Sequence, residues 1–233
     1  MQAIIQMLET TGIFIIGIAA RGALVLGVVL ILSLPIMLIA FALRGAEALQ
    51  RSHMGLRDVA GFVFRPDLWY APTHTWLAHR RGGSLAIGLD DLALRLMPNV
   101  TGLEVPPAGT AVKAGQPLAT IYASGRCVTI PSPVTGTIAA VNRAALREPA
   151  LVKREGYGRG WMVAVTPSNE AFAALPRGER AERFMRREAA RWNGLLETEL
   201  GLAAADGGHL VAPEHAVLGE ASWDRMAAAF LGA

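Results

Sequence analysis

The sequence has a single cysteine, Cys127, in 233 residues. One thiol cannot form an internal disulfide and cannot by itself complete a structural zinc site, so neither device holds this fold together. Lysine is also scarce: of 22 basic residues only Lys113 and Lys153 are lysines, and the others are arginines. The net charge of +3 is small, and no dense basic block contains interleaved aromatic residues. Nucleic-acid binding is therefore not expected.

Charged residues make up only 18% of the chain, and they are absent from residues 22–43, where Ser33 is the only polar side chain. A helix over these 22 residues is about 33 Å long, which matches the hydrocarbon thickness of a bilayer. We therefore predict one transmembrane helix over residues 22–44. A buried core helix and a cleaved signal peptide are the alternatives. The run lacks the polar stripe of the first and exceeds the apolar length of the second.

The arginines that flank this run indicate its orientation. One precedes it and four follow it, at position 21 and at positions 44, 51, 57 and 65. The positive-inside rule then places the C-terminal domain in the cytoplasm, at a bacterial inner membrane. Residues 1–21 are predicted as an apolar interfacial segment, or as one that packs on a neighbouring subunit. Residues 45–68 are predicted as a basic amphipathic connector near anionic headgroups.

After residue 69 the pattern changes to short runs rich in valine, isoleucine, threonine and leucine, separated by glycine and proline. Such spacing is typical of a small all-β barrel or sandwich. The predicted strands cover residues 76–78, 84–87, 102–104, 117–122, 127–130, 136–141 and 161–166.

Several motifs in this region resemble the glycine cleavage system H protein, a lipoyl carrier of hammerhead fold. They are residues 70–76 (YAPTHTW), 86–93 (AIGLDDLA), 112–118 (VKAGQPL), 132–138 (SPVTGTI), 141–142 (VN) and 156–161 (GYGRGW). They follow the family order and spacing over about 100 residues. The resemblance implies a mainly β barrel-sandwich hybrid with flanking helices, which we place at residues 69–170.

In the family, a protruding hairpin carries a lysine that is lipoylated. Counting back from residue 132 places Gly125 at that position, and a slip of one residue places Arg126 there. Neither side chain can form the amide to lipoate. Because Lys113 and Lys153 lie elsewhere in the motifs, no alternative alignment supplies a lysine. We therefore expect no lipoylation and no other cofactor.

Other reactive residue types lack companions in the sequence. Cys127 beside Arg126 either has a lowered thiol pKa or is a small strand residue without reactivity, and we favour the second. Two histidine pairs, at 74 and 79 and at 209 and 215, have no carboxylate or thiol at ligand spacing. Asp90 and Asp91 precede an expected short helix, where capping is the expected role. No catalytic set and no metal site are predicted, so the chain is not expected to be an enzyme.

Residues 171–233 are predicted as a helical extension. A charged, amphipathic pattern indicates a helix over residues 179–200, and a second helix is expected from Ser222 to about residue 230. Between them, residues 205–209 are predicted as a turn and residues 210–212 as a short strand. The candidates for contact with a partner are Arg126, Cys127, Trp192 and Trp223.

A carrier fold without its attachment residue, joined to a membrane anchor, suggests a non-catalytic accessory subunit of a bacterial membrane protein complex. Its expected partners are the membrane bilayer and the other subunits of a hetero-oligomeric complex, of respiratory or photosynthetic redox type. One alternative is a membrane-tethered adaptor that recruits a soluble enzyme recognising H-protein surfaces. A secretion or efflux adaptor is a further alternative, although those proteins split the barrel with a long helical hairpin.

Overall fold

The structure, a computed structural model, describes residues 32–35, 37–38, 55–97, 99–123, 125–200 and 219–232. The chain divides into two compact units, Met1–Met54 and Gly55–Ala233. Most of the predicted transmembrane helix falls outside the described residues, as do residues 1–21 and the turn and strand predicted at 205–212. Within the described ranges, no helix is long and apolar enough to cross a membrane. Those of residues 32–38 that are described are helical, and their leucine and methionine side chains are exposed.

The second unit is built mainly of antiparallel β-sheet. Its described strands are β1 (Arg57–Val59), β2 (Phe62–Phe64), β3 (Trp69–Tyr70), β4 (Thr75–His79), β5 (Leu85–Leu89), β6 (Val100–Glu104), β7 (Ala111–Val112), β8 (Pro117–Ala123), β9 (Arg126–Pro131), β10 (Gly136–Val141) and β11 (Val163–Pro167). They form a hairpin β1-β2, a six-stranded sheet of order β3-β4-β5-β11-β10-β7 and a three-stranded sheet β6-β8-β9.

All seven predicted strands are confirmed, with ends that differ from the prediction by at most two residues. The additional strands are β1, β2, β3 and β7, each only two or three residues long. The fold is therefore rich in β-sheet, as predicted, and helices flank it.

The β1-β2 hairpin corrects part of the predicted connector over residues 45–68. Its turn residues Ala60 and Gly61 have φ values of 52° and 83°, which is the positive-φ pair that a two-residue hairpin turn requires. Phe62 and Phe64 of β2 are buried. Residues 57–64 therefore form a hairpin that packs its buried side chains into the core, and they are not a surface connector.

The described helices of this unit lie between and after the strands. They are α1 (Asp91–Leu96), α2 (Arg143–Arg147), α3 (Leu151–Arg154), a 3-10 turn (Ala171–Ala174), α4 (Glu179–Leu200) and α5 (Glu220–Leu231). The helix predicted over residues 179–200 has those bounds. The predicted start of the last helix was late: Gly219 is the N-cap of α5, and Ser222 lies inside the helix.

The three-stranded sheet and the two last helices share one hydrophobic core. Val128 and Ile130 of β9 are buried in the same cluster as Trp192 of α4 and Phe230 of α5. On α4 the buried residues follow a helical spacing that gives the helix one apolar face: Ala181, Phe184, Met185, Ala189, Trp192 and Leu196. The helices are thus packed onto the sheet.

Gly136 marks a close approach of β10 to β11. A Cβ there would meet the carbonyl oxygen and carbon of Thr166, and backbone atoms in a paired sheet cannot give way as a side-chain end can. We expect Gly136→Ala to lower the free energy of unfolding by about 1–3 kcal/mol. Urea denaturation of the full chain in mild detergent, followed by far-UV circular dichroism, measures this.

The matched control is Gly194→Ala in the interior of α4, where nothing lies within 4 Å of the added Cβ. Alanine favours a helix interior over glycine by about 1 kcal/mol, so this variant is expected to be more stable than the wild type. If the two variants unfold at the same urea concentration, the close approach of β10 to β11 at Gly136 does not exclude a Cβ from this position.

Candidate functional site

The turn between β8 and β9 is the position at which the sequence predicts the family's carrier lysine. Ala123 pairs with Arg126 across the two strands, so only residues 124 and 125 connect them. Gly125 has a φ of 80°, a conformation that favours glycine. The two residues that connect the strands therefore carry no side-chain amine.

Helix α5 packs against β9, the second strand of this hairpin. The guanidinium carbon of Arg126 lies 4.6 Å from the ring centroid of Trp223, a cation-π contact. Trp223 is buried, and its Nε1-H donates a hydrogen bond of 2.8 Å to the carbonyl oxygen of Leu96 at the end of α1. One tryptophan thus links α5 to both the β8-β9 hairpin and α1.

A buried ionic cluster centred on His74 joins the sheet domain to α4. The Nδ1 atom of His74 is 2.8 Å from Oδ2 of Asp90, and its Nε2 atom is 3.5 Å from Oε2 of Glu188 on α4. Both His74 and Asp90 are fully buried, whereas the side chain of Glu188 is 16% exposed. The rings of Phe184 and Phe230 lie 5.7 and 5.4 Å from the imidazole. The imidazole therefore contacts both helices that follow the barrel.

The charge on His74 follows from its two carboxylate neighbours. Burial favours the neutral imidazole and lowers the pKa of His74, but the negative charge of Asp90, the hydrogen bond to it and the nearby Glu188 together raise that pKa to about 9. Contact with His74 also lowers the pKa of Glu188 below its usual value. At neutral pH the cluster is an imidazolium between two carboxylates.

Asp90 serves two structural roles at once. Its Oδ1 accepts the backbone N-H of Ala93 at 3.0 Å, which makes it the N-cap of α1 and confirms the capping role predicted for this position. Its Oδ2 faces His74. Sequence reasoning placed His74 among isolated structural or surface histidines. The structure shows it buried with two carboxylates, one of them distant in sequence on α4.

Comparison with known proteins identifies this fold. The family model of the glycine cleavage H-protein matches residues 68–188. This chain belongs to the glycine cleavage H-protein family. The match continues past residue 170, where we predicted the end of the barrel domain, and it ends at Glu188 in α4. The helix α5 lies beyond it.

Individual H proteins show the same similarity. The glycine cleavage system H proteins of Shewanella sp. (strain ANA-3) and Shewanella baltica (strain OS155 / ATCC BAA-1091) are each 33% identical over 105 residues, which is 45% of this chain and 81% of theirs. The crystal structure of a glycine cleavage system H protein from Mycobacterium marinum is 25% identical, with a TM-score of 0.43, over 45% of this chain and 87% of that chain.

The two lysines of this H-protein family member lie away from the hairpin. Lys113 is exposed in the turn after β7, where its backbone N-H donates to Oε1 of Gln116 at 3.1 Å. Lys153 is exposed on α3. Folding therefore brings neither lysine to the β8-β9 turn, where we predict that the family's lysine is missing.

Of the four predicted contact residues, two are buried and two are at least partly exposed. Trp192 and Trp223 are 1% and 5% exposed, so our prediction that they contact a partner is wrong for this packing: the apolar faces of α4 and α5 bury them inside the chain. Arg126 is partly exposed and stacks on Trp223. Cys127 is exposed.

Cys127 and Arg126 lie on opposite faces of β9. Successive strand residues alternate sides, so the guanidinium that contacts Trp223 points away from the thiol. On the outer face, Cys127 is paired with Tyr122 of β8, and a hydrogen bond with Glu104 raises the pKa of Tyr122. The exposed thiol therefore lies beside Tyr122, on the face of β9 opposite the helix α5.

Proposed function

We propose that this chain is a non-catalytic, membrane-anchored accessory subunit of a bacterial membrane protein complex. Its H-protein-like domain makes protein contacts and does not carry lipoate. The complex we infer is a respiratory or photosynthetic redox assembly, at the inner membrane and with the H-protein-like domain in the cytoplasm.

The observation that carries this proposal is the closed β8-β9 turn. We predict that Gly125 or Arg126 holds the position of the carrier lysine at this turn, and Arg126 contacts Trp223 of α5. A lipoyl arm swings between partners, and one face of this hairpin packs against α5. The lack of a side-chain amine in the connection and this packing support a role in protein contacts.

The uncharged residues 22–43 support the membrane anchor, since their length matches one bilayer crossing. An accessory subunit then needs faces for its neighbours, and the described surface of the second unit offers Tyr122 and Leu146 as exposed large apolar side chains. Aromatic residues such as tyrosine are enriched at protein interfaces.

Membership in the H-protein family favours a second candidate, a tethered adaptor that recruits a soluble enzyme able to recognise H-protein surfaces. An adaptor exchanges its partner, whereas a subunit retains it. A secretion or efflux adaptor is less favoured, because only residues 124 and 125 connect β8 to β9 and no helical hairpin is inserted there.

The test is affinity purification of the full chain from its native membranes in mild detergent, with mass spectrometry of the intact chain and of its partners. We expect an unmodified mass and stoichiometric integral membrane proteins. A Lys113→Arg, Lys153→Arg double variant is the matched control and is expected to recover the same partners. A lipoyl mass on either lysine would refute the proposal, and substoichiometric soluble enzymes would favour the adaptor.

A further inference from the structure

Helix α2 presents an exposed leucine between two exposed arginines. Arg143, Leu146 and Arg147 border a surface cavity of about 340 Å³, and Leu146 is 37% exposed. In the described part of Gly55–Ala233, Tyr122 is the only other large hydrophobic side chain exposed to this degree. We call these three residues the α2 patch.

The charge of the α2 patch is not compensated locally. Among the described residues, neither Arg143 nor Arg147 forms an ion pair. The nearest acidic residues in sequence are engaged elsewhere: Glu148 pairs with Arg154 at 2.6 Å, and Glu155 pairs with Arg159 at 3.3 Å. The patch is therefore a basic surface around an apolar centre.

The α2 patch is also held in a fixed geometry. Asn142 caps α2 by accepting the N-H groups of Ala144 and Ala145, and its own amide donates to the carbonyl oxygens of Arg159 and Trp161 at 2.7 and 2.6 Å. Helix stability explains Arg147, which lies in the last turn, but it does not explain Arg143, because a cation in the first turn opposes the helix dipole. Arg143 occupies that unfavourable position without an acidic residue in the turn.

We propose that the α2 patch docks the H-protein-like domain onto an anionic phospholipid surface. The forked guanidinium groups of Arg143 and Arg147 bind headgroup phosphates, and Leu146 enters the boundary with the acyl chains. Interfacial amphipathic helices also combine basic and apolar residues, over a longer span than the five residues of α2. The inference rests on the membrane anchor of the proposed function.

The sequence between the predicted anchor and the domain favours a lipid surface as the occupant. Residues 44–54 are the eleven residues between the apolar run and Gly55, and a chain of this length spans at most about 40 Å. A tethered domain therefore meets the bilayer at a high effective concentration. Weak contacts that would not bind a free domain to vesicles become occupied in the anchored chain.

The test uses the full chain reconstituted into vesicles of phosphatidylcholine or of an equimolar mixture with phosphatidylglycerol. In a Cys127→Ser background, Leu146→Cys carries an environment-sensitive fluorophore. We expect a blue-shifted emission that acyl-chain quenchers reach in the anionic vesicles, and neither effect in phosphatidylcholine or in high salt. The same fluorophore on native Cys127 is the matched control and is expected to remain unshifted.

Changing Arg143 and Arg147 together to glutamine is expected to lower the ratio of docked to undocked chains more than about tenfold, because each basic residue near an anionic surface contributes about fivefold. Circular dichroism checks that the variant is folded.

The patch inference fails alone if the chain floats with the vesicles after an alkaline wash while the Leu146→Cys label stays in water. If the chain does not float, the anchor fails and the docking inference fails with it. Shielding in native membranes but not in protein-free anionic vesicles would assign the patch to a protein partner and overturn the lipid proposal.

Discussion

Replacing Asp90 by asparagine is expected to lower the free energy of unfolding by about 3 kcal/mol. Asparagine caps a helix as well as aspartate does, so the cap of α1 is retained and only the charge opposite His74 is lost. Removing one partner of a buried ion pair costs about 3–5 kcal/mol, and the low end is expected here because Glu188 still faces the imidazolium. Urea denaturation of the full chain in mild detergent measures the change.

The same variant alters the pH dependence of stability. The pKa of His74 rises from 6.5 to about 9 on folding, so the stabilisation by the charged imidazole is fully present below pH 6.5 and is lost as the pH rises through about 9. The wild type is therefore expected to lose up to about 3 kcal/mol over this window. In Asp90→Asn that decline should be much smaller.

The matched control for this experiment is Asp67→Asn. Asp67 pairs with Arg65 at 2.6 Å, but its side chain is 55% exposed, and surface pairs of this kind contribute less than about 1 kcal/mol. If Asp90→Asn unfolds together with Asp67→Asn and keeps the decline above neutral pH, the ionic role of the His74 cluster is wrong.

Trp223→Ala is expected to release α5 from the sheet, at a cost of about 3–5 kcal/mol. Truncation empties the space between the hairpin and α1 and removes both the contact with Arg126 and the hydrogen bond to Leu96. Hydrogen exchange followed by mass spectrometry measures the result. We expect much faster exchange in α5 and in β9, and little change in the six-stranded sheet.

Trp223→Phe separates the two contacts. It retains one aromatic ring near Arg126, and it removes the donor to Leu96, whose net contribution is about 1 kcal/mol, together with part of the buried indole. We expect exchange in α5 to be accelerated far less than in Trp223→Ala. Unchanged exchange in Trp223→Ala would mean that α5 does not cover the hairpin in solution.

The sequence predicted the strands well because alternating apolar residues between glycine and proline turns are a local signal. It also located the β8-β9 turn. That Gly125 or Arg126 stands where the family has its lysine stays a prediction, because it rests on counting between motifs. The hairpin β1-β2 was missed because the arginines around it were interpreted as membrane-proximal. The Ala60-Gly61 turn followed by alternating aromatic residues would have revealed it.

The candidate site depended on contacts that no local pattern contains. The ion pair of His74 with Glu188 joins the turn before β4 to a helix more than 100 residues later. The apolar faces that carry Trp192 and Trp223 were recognised, but an amphipathic pattern does not distinguish packing on the chain's own sheet from packing on a partner. The sheet was the occupant in both cases.

The contacts of His74 make the barrel and its two following helices one cooperative folding unit. A fragment truncated after β11 would leave the imidazole with only one of its two carboxylates and would uncover Val128 and Ile130. Such a fragment would be prone to aggregate, since it exposes a contiguous apolar surface. We therefore expect the H-protein-like domain to require α4 and α5 for folding, because these helices complete its hydrophobic core.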